Sequence, residues 1–258
     1  MKVKWLMGSD FYNETLSRFY DLFYMNVPVL KVGLDFYLDE IKYTKGSVLE
    51  AGVGTGRIFA PALAAGADIY GIDLSENMLN NLKSKIPETE HYRVSPGDIR
   101  NFSLDKKFQL IISPFRVFQH LLTIDDQLCS LNTIYDHLKP GGRLIFDVFD
   151  PDLKRLTNPV ENILEFDGEY MTGKKLQRFA SVGYDHSNQV MNLSFRFVWD
   201  EDGTEKTDTF STPLRYYYRF ELENLIGRSK FTLEKIYGSF NKAELGDKTN
   251  EFIIVCRK

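Results

Sequence analysis

Apolar residues recur along this chain with two different periods, and the switch between them divides it. Leu16, Phe19, Tyr20 and Phe23 are spaced three to four apart, which predicts a helix over residues 10–24 with one apolar face; a second helix is expected over Val32–Ile41. From there to residue 149 short apolar runs alternate with helical stretches. Val48–Leu49, Ile69–Ile72, His91–Val94, Phe108–Ile112 and Arg143–Phe149 read as strands, and the unbroken F-Q-L-I-I of the fourth has the composition of a parallel strand buried on both faces. Between them, a helix continues through Ala62, Leu63 and Ala64, and another starts at Ser75, a natural N-cap that Leu74 and Leu79 can staple. A third runs from Asp125 to His137, with Leu128, Leu131, Ile134, Tyr135 and Leu138 on one stripe, and stops at Lys139-Pro140-Gly141-Gly142.

After residue 152 the period becomes two. Leu176, Ala180, Val182 and Tyr184 alternate with other residues, Asp185-His186-Ser187-Asn188 turns the chain, and Met191, Leu193, Phe195, Phe197 and Trp199 alternate with Asn192, Ser194 and Arg196. Asp200-Glu201-Asp202-Gly203 turns it again into Thr204–Tyr218. Residues 153–218 therefore read as an antiparallel sheet whose apolar face needs a cover, either the core's ligand edge or a second subunit. A helix over Glu221–Gly227 and strands over Phe231–Tyr237 and Phe252–Cys256 complete the chain. The expected fold is α/β: a doubly wound, seven-stranded, mostly parallel Rossmann-like sheet with an inserted antiparallel sheet.

Composition narrows the function only a little. A chain of 258 residues with 43% hydrophobic and 26% charged residues is an ordinary globular protein, and a net charge of −4 without a basic stripe argues against nucleic acid as substrate. No apolar run has the length of a signal peptide or a membrane span, so a soluble cytoplasmic protein is the default expectation. Cys129 and Cys256 stand alone, without metal-ligand spacing, and no metal is expected.

The candidate chemistry lies between Ser47 and Asp73. A strand ends in Glu50, glycines follow at 52, 54 and 56, and the next strand ends in Asp73. Glycine lets the backbone turn sharply and approach a ligand closely, as nucleotide-binding α/β units require. A dinucleotide fingerprint reads G-x-G-x-x-G, but here Arg57 stands where the third glycine belongs. E-x-G-x-G-x-G instead resembles motif I of the class I S-adenosylmethionine-dependent methyltransferases. Asp73 resembles that family's ribose-binding acid, Gly97-Asp98-Ile99 its segment beside the adenine, and Lys139-Pro140-Gly141-Gly142 the turn before its fifth strand. Phe19-Tyr20-Asp21 is similar to the element that lays a tyrosine over the donor in many small-molecule members.

The resemblance implies S-adenosylmethionine as cofactor. It would be held by Tyr20, Glu50, Gly52, Gly54, Gly56, Arg57, Asp73, Leu74, Met78, Gly97, Asp98, Ile99 and Ser113. It also implies an N-terminal helical lid over residues 1–45, a core of 46–152 and 219–258, and an insert over 153–218 that covers the substrate site or forms a dimer contact.

At the tip of the fourth strand, Ser113-Pro114-Phe115-Arg116 departs from the D/N-P-P-Y tetrad of adenine and glutamine methyltransferases, which argues against that kind of acceptor. Arg116 to Leu122 resembles a segment of uncharacterised bacterial members of the family. His120 has an ordinary pKa near 6.5 and is the candidate base, with Phe115, Arg116, Phe118 and Tyr217 as candidate contacts to a small-molecule acceptor. Two other functions stay open at this point: an NAD(P)-dependent oxidoreductase and a non-catalytic protein that binds S-adenosylmethionine on the same fold. The chain could act as a monomer or a homodimer.

Overall fold

A computed structural model describes residues 12–25, 28–247 and 249–258. Of the helix expected over 10–24, residues 10 and 11 lie outside the described residues, as does part of the expected N-terminal lid. The order of elements is α1 (Glu14–Tyr24), α2 (Pro28–Lys42), β1 (Val48–Ala51), α3 (Phe59–Ala64), β2 (Ile69–Asp73), α4 (Glu76–Lys83), β3 (Val94–Pro96), β4 (Phe108–Ser113), α5 (Ile124–His137), β5 (Leu138–Phe149), α6 (Leu153–Leu156), β6 (Val160–Met171), β7 (Lys174–Asp185), β8 (Val190–Glu201), β9 (Thr204–Arg215), α7 (Arg219–Gly227), β10 (Thr232–Tyr237) and β11 (Glu251–Arg257).

One sheet has seven strands in the order β10-β11-β5-β4-β1-β2-β3. β1 to β5 pair in parallel, and β11 runs antiparallel to both of its neighbours. Apolar cores fill both faces, one around Leu49, Ile111 and Phe146, the other around Val48, Leu110 and Ile145. Among the described residues no helix is long and apolar enough to cross a membrane.

Several boundaries differ from the sequence reading, α2 starting at Pro28 and the second sheet only at Val160 among them, and two have a local cause. The third strand begins at Val94, because Glu88–Arg93 forms a 3-10 helix in which His91 Nε2 bonds back to the Lys83 carbonyl at 2.9 Å and closes the end of α4. β5 starts at Leu138, so Lys139-Pro140-Gly141-Gly142 belongs to the strand. The irregularity is absorbed there by a register shift against β4 and a positive φ of 72° at Gly141.

The second sheet has four antiparallel strands of 12 residues each, in the order β6-β7-β8-β9. Register is continuous between β7, β8 and β9, whereas edge strand β6 shifts at three places. The cover for the apolar face is α1. Its Leu16, Phe19 and Phe23 pack on Leu176, Ala180, Phe195, Phe197, Trp199 and Phe210 in a separate core. The helix starts at Asn13, whose side chain accepts from the Leu16 amide at 3.0 Å. Apart from the Tyr24 ring, which meets Phe115 edge to face at 5.5 Å, the contacts named from α1 to the large sheet's side are polar: Thr55 Oγ1 donates to Asp21 at 2.7 Å, Lys85 pairs with Asp21, and Asn81 donates to the Ser17 carbonyl at 2.9 Å.

The glycine turn is shaped by what packs on it. A Cβ on Gly52 would lie 2.4 Å from Val117 Cγ2, and one on Gly56 would lie 2.2 Å from Leu82 Cδ1; both have positive φ. The third glycine of the turn therefore makes room for α4.

Two stability outcomes follow from this packing. Gly56→Ala should cost about 1–3 kcal/mol from overpacking, on top of the cost of a side chain at positive φ, and denaturant titration should show the penalty shrinking in a Leu82→Ala background. Phe19→Ala should cost about 3–5 kcal/mol in the same measurement, as an emptied aromatic core position does.

Candidate functional site

Where β1, β2 and β4 end, their tips and α1 enclose a cavity. Its floor is the glycine turn, with Gly52, Val53, Gly54 and Thr55 lining it beside Glu50. Asp73 reaches across from β2 and is fixed in place: Oδ2 accepts from the Gly54 amide at 2.8 Å and Oδ1 from the Ser75 amide at 2.9 Å. Burial raises its pKa, and the backbone amides of Ser75, Gly54 and Leu74 oppose the rise. Leu74 and Met78 complete this wall, although Met78 is almost wholly buried in packing.

Gly97, Asp98 and Ile99 line the next wall. Arg100 grips the Asp98 carboxylate, with Nε 3.0 Å from Oδ1 and Nη2 2.5 Å from Oδ2. Asp98 is half-buried; desolvation works to raise its pKa, but the Arg100 hydrogen bonds outweigh it and leave the carboxylate below its ordinary range.

Glu50 is the unusual member. Its side chain is 2% exposed, and its Oε2 has no hydrogen-bond partner. Desolvation pushes its pKa up to about 8, the Asp73 charge adds to the rise, and Arg57 opposes it. Arg57 also lines the cavity, donating to the Leu30 carbonyl at 3.2 Å and lying 5.2 Å over the Phe115 ring.

Tyr12 and Tyr20 form the roof. Their rings meet edge to face at 6.3 Å, Tyr20 rests on Tyr24 at 4.6 Å, and Tyr12 stacks on Phe210 of the inserted sheet at 5.2 Å. The remaining wall is the segment after β4, through Pro114, Phe115, Val117, His120 and Leu121. Phe115 and Arg116 both have positive φ, 57° and 68°, a strained conformation for residues other than glycine. Asp147 on β5 sustains it: its carboxylate accepts from the Phe115 amide at 2.9 Å and the Arg116 amide at 3.2 Å, and Tyr37 donates to it at 2.6 Å.

His120 lies between the roof and the inserted sheet. Its Nε2 is 3.2 Å from the Tyr12 hydroxyl and its Nδ1 3.4 Å from Thr212 Oγ1. Burial lowers its pKa to about 4, against a small opposing effect of the Pro213 carbonyl, so the ring is neutral at physiological pH.

Of the residues singled out from the sequence, thirteen lie together in this cavity: Tyr20, Glu50, Gly52, Gly54, Arg57, Asp73, Leu74, Met78, Gly97, Asp98, Ile99, Phe115 and His120. Five stand outside its lining. Gly56 serves the packing of Leu82, and Ser113 is buried within β4. Phe118 lies in the core 4.5 Å from the Phe146 ring, where Tyr217 donates to the Phe118 and Leu121 carbonyls at 3.3 and 3.2 Å. The Arg116 side chain pairs with Glu251 at 3.3 Å.

Tyr12, Val53, Thr55, Pro114, Val117 and Leu121 line the cavity and were not anticipated. A signal existed for Tyr12, since Asn13 is a good N-cap and puts its neighbour at the entrance of α1.

Comparison with known proteins agrees with this geometry. A family model described as a methyltransferase domain matches residues 48–142, the stretch that carries the glycine turn, the acids Glu50, Asp73 and Asp98 and the loop after β4. An uncharacterised methyltransferase of Bacillus cereus is 32% identical over 182 residues, which span 67% of this chain and 84% of that protein. An S-adenosylmethionine-dependent methyltransferase of Clostridium acetobutylicum has the same fold, with a TM-score of 0.73 at 18% identity over 95% of this chain and 98% of that one. The sugar N-methyltransferase KedS8 of Streptoalloteichus does too, with a TM-score of 0.67 at 16% identity over 93% of each chain. Strand order, a glycine turn with Arg57 where a dinucleotide turn has its third glycine, and a relative matched over most of its length agree, and the chain belongs to the class I S-adenosylmethionine-dependent methyltransferases.

Proposed function

We propose that this cavity holds S-adenosylmethionine and that the protein transfers its methyl group to a small-molecule acceptor. The observation that carries the reading is the buried Glu50 carboxyl with an unpartnered oxygen. A buried polar atom without a partner is costly, and a ligand ammonium group would supply both the hydrogen bond and the countercharge. Asp73, fixed by two amides, offers its remaining lone pairs to the ribose hydroxyls, and Asp98, kept ionised by Arg100, accepts from the adenine amine. Met78 and Ile99 provide apolar surface for the base. An NAD(P) reading lacks the third glycine beside the pyrophosphate, since Arg57 occupies that place.

S-adenosylmethionine supplies an electrophilic methyl group on a sulfonium; the protein's share is alignment in a space that excludes water. The roof rings of Tyr12 and Tyr20 and the Phe115 ring in the wall suit a cation of this kind. The acceptor's proton would pass to the Tyr12 oxygen while the Tyr12 proton moves to His120 Nε2, so His120 acts through the phenol. A base with so low a pKa holds a proton weakly, and most of the rate would come from positioning. A small acceptor is supported by the enclosed site and by the absence of a basic stripe; KedS8, which shares the fold, is a sugar N-methyltransferase.

Calorimetry tests the donor site. S-adenosylmethionine should bind wild-type protein with release of close to one proton near neutral pH, because unliganded Glu50 is mostly protonated below about 8 and ionises against the ammonium. Affinity should therefore rise by up to about tenfold per pH unit toward pH 8 and fall above it, where the free ligand's ammonium loses its proton. Glu50→Gln should abolish the rise below pH 8, and Asp73→Ala should weaken binding at every pH. Absence of binding to the wild type would refute the reading.

A panel of small amines and amino sugars, scored by formation of S-adenosylhomocysteine, tests the acceptor class. With a turned-over acceptor, kcat/KM should show no His120 limb near pH 6.5, and His120→Asn should lower kcat by no more than about 10²-fold, the low end for acid–base catalysis.

A further inference from the structure

Just past the tip of β4, Phe115 and Arg116 have their backbones in the left-handed region, with φ of 57° and 68°. Turn positions of this kind usually hold glycine, asparagine or aspartate, and other residues persist there where the surroundings hold them. Asp147, 2% exposed and late in β5, supplies that hold. Its Oδ1 accepts from the Phe115 amide at 2.9 Å and from the Tyr37 hydroxyl at 2.6 Å, and its Oδ2 accepts from the Arg116 amide at 3.2 Å. On the other side the Gln119 amide donates to the Arg116 carbonyl at 2.9 Å, so the pair is fixed from both ends. The place calls for a carboxylate, because all three bonds use the Asp147 side chain as acceptor. An asparagine would turn its NH2 toward the Arg116 amide in one orientation and toward the Phe115 amide in the other.

What this turn presents to the cavity is the Phe115 ring. Tyr24 meets the ring edge to face at 5.5 Å, and the Arg57 guanidinium lies over it, 5.2 Å from its centroid. The Arg116 guanidinium is farther away, at 5.9 Å, and pairs with Glu251. Arg57 gives one N–H to the Leu30 carbonyl at 3.2 Å, and the ring is the second point that sets its place, leaving other N–H groups for a ligand. Arg57 is also close enough to Glu50 to oppose the rise in its pKa. The donor's carboxylate is on the same carbon as the ammonium group that Glu50 would take, which brings it within reach of Arg57.

We propose that Asp147 is a positioning residue for S-adenosylmethionine: by holding Phe115 and Arg116 in their strained turn, it sets the ring on which Arg57 rests to receive the donor's carboxylate. The strain at Phe115 thus has a use, since a glycine there would turn as readily but offer no ring. This inference rests on the reading of the cavity as the donor site.

Calorimetry with S-adenosylmethionine and its decarboxylated form tests it, because the two ligands share nucleoside, sulfonium and ammonium and differ in the carboxylate. Wild type should prefer S-adenosylmethionine by about ten- to a hundredfold, the range of charge-assisted hydrogen bonds. Arg57→Met should bring the two affinities close to parity. Asp147→Asn should cut the preference by about threefold or more, Phe115→Leu should cut it alike, and the double variant should fall no further. Contacts of the ring with the sulfonium, and any general loosening of the site, act on both ligands and cancel in the ratio. Equal losses for both ligands in Asp147→Asn give it a merely structural part and overturn the proposal, as does a double variant that falls below Phe115→Leu. Should Asp147→Asn not fold, Phe115→Leu decides, and an unaltered preference there overturns the proposal. A wild type that binds both ligands equally refutes the proposal and leaves the donor site standing; one that binds neither refutes the donor site itself.

Discussion

The site depends on the burial of one apolar helix face. α1 gives Leu16, Phe19 and Phe23 to the inserted sheet and meets the α/β core through Asp21, Ser17 and Asn81. A roof built this way is dry on one side and hydrogen-bonded on the other. Apolar burial is non-directional and holds the helix to the sheet, while the polar contacts set where the pair sits over the glycine turn. Tyr20 lies in the cavity because Phe19 and Phe23, its helical neighbours, are anchored above it.

Much of this arrangement was legible in the sequence. The parallel core announced itself through short apolar runs ending in acids or turns, and the insert through clean alternation from Met191 to Trp199. Glu50, Asp73 and Asp98 sit at strand tips, where the topology of an open sheet gathers residues of distant sequence position. What could not be read was long-range partnership. Phe118 and Tyr217 look like pocket aromatics, yet they pack on each other, and Phe118 on Phe146, because the chain brings α7's lead-in back under the loop after β4. Nothing local distinguishes an aromatic that lines a cavity from one that fills a core.

Charge in the cavity follows one logic. Glu50 and Asp73 are both buried, with pKa values raised by desolvation, while Asp98 keeps its charge because Arg100 lies against it. Glu50 is thus a carboxyl that a cationic ligand would help to ionise, with Arg57 the cation that already acts on it. Glu251 shows the same tension outside the lining: burial lifts it to about 7 although Arg116 stands beside it. Such groups are costly to the empty protein, a cost that binding sites commonly carry.

The inserted sheet has one outer strand whose shape matters for the protein in a crowded solution. β6 leaves Val160, Ile163, Leu164 and Met171 substantially exposed, a composition that invites a neighbouring molecule to add a strand. Its three register shifts break the straight ladder of amides and carbonyls that such an addition needs. The kinks that make β6 the least regular strand of the insert therefore act as a guard against edge-to-edge aggregation.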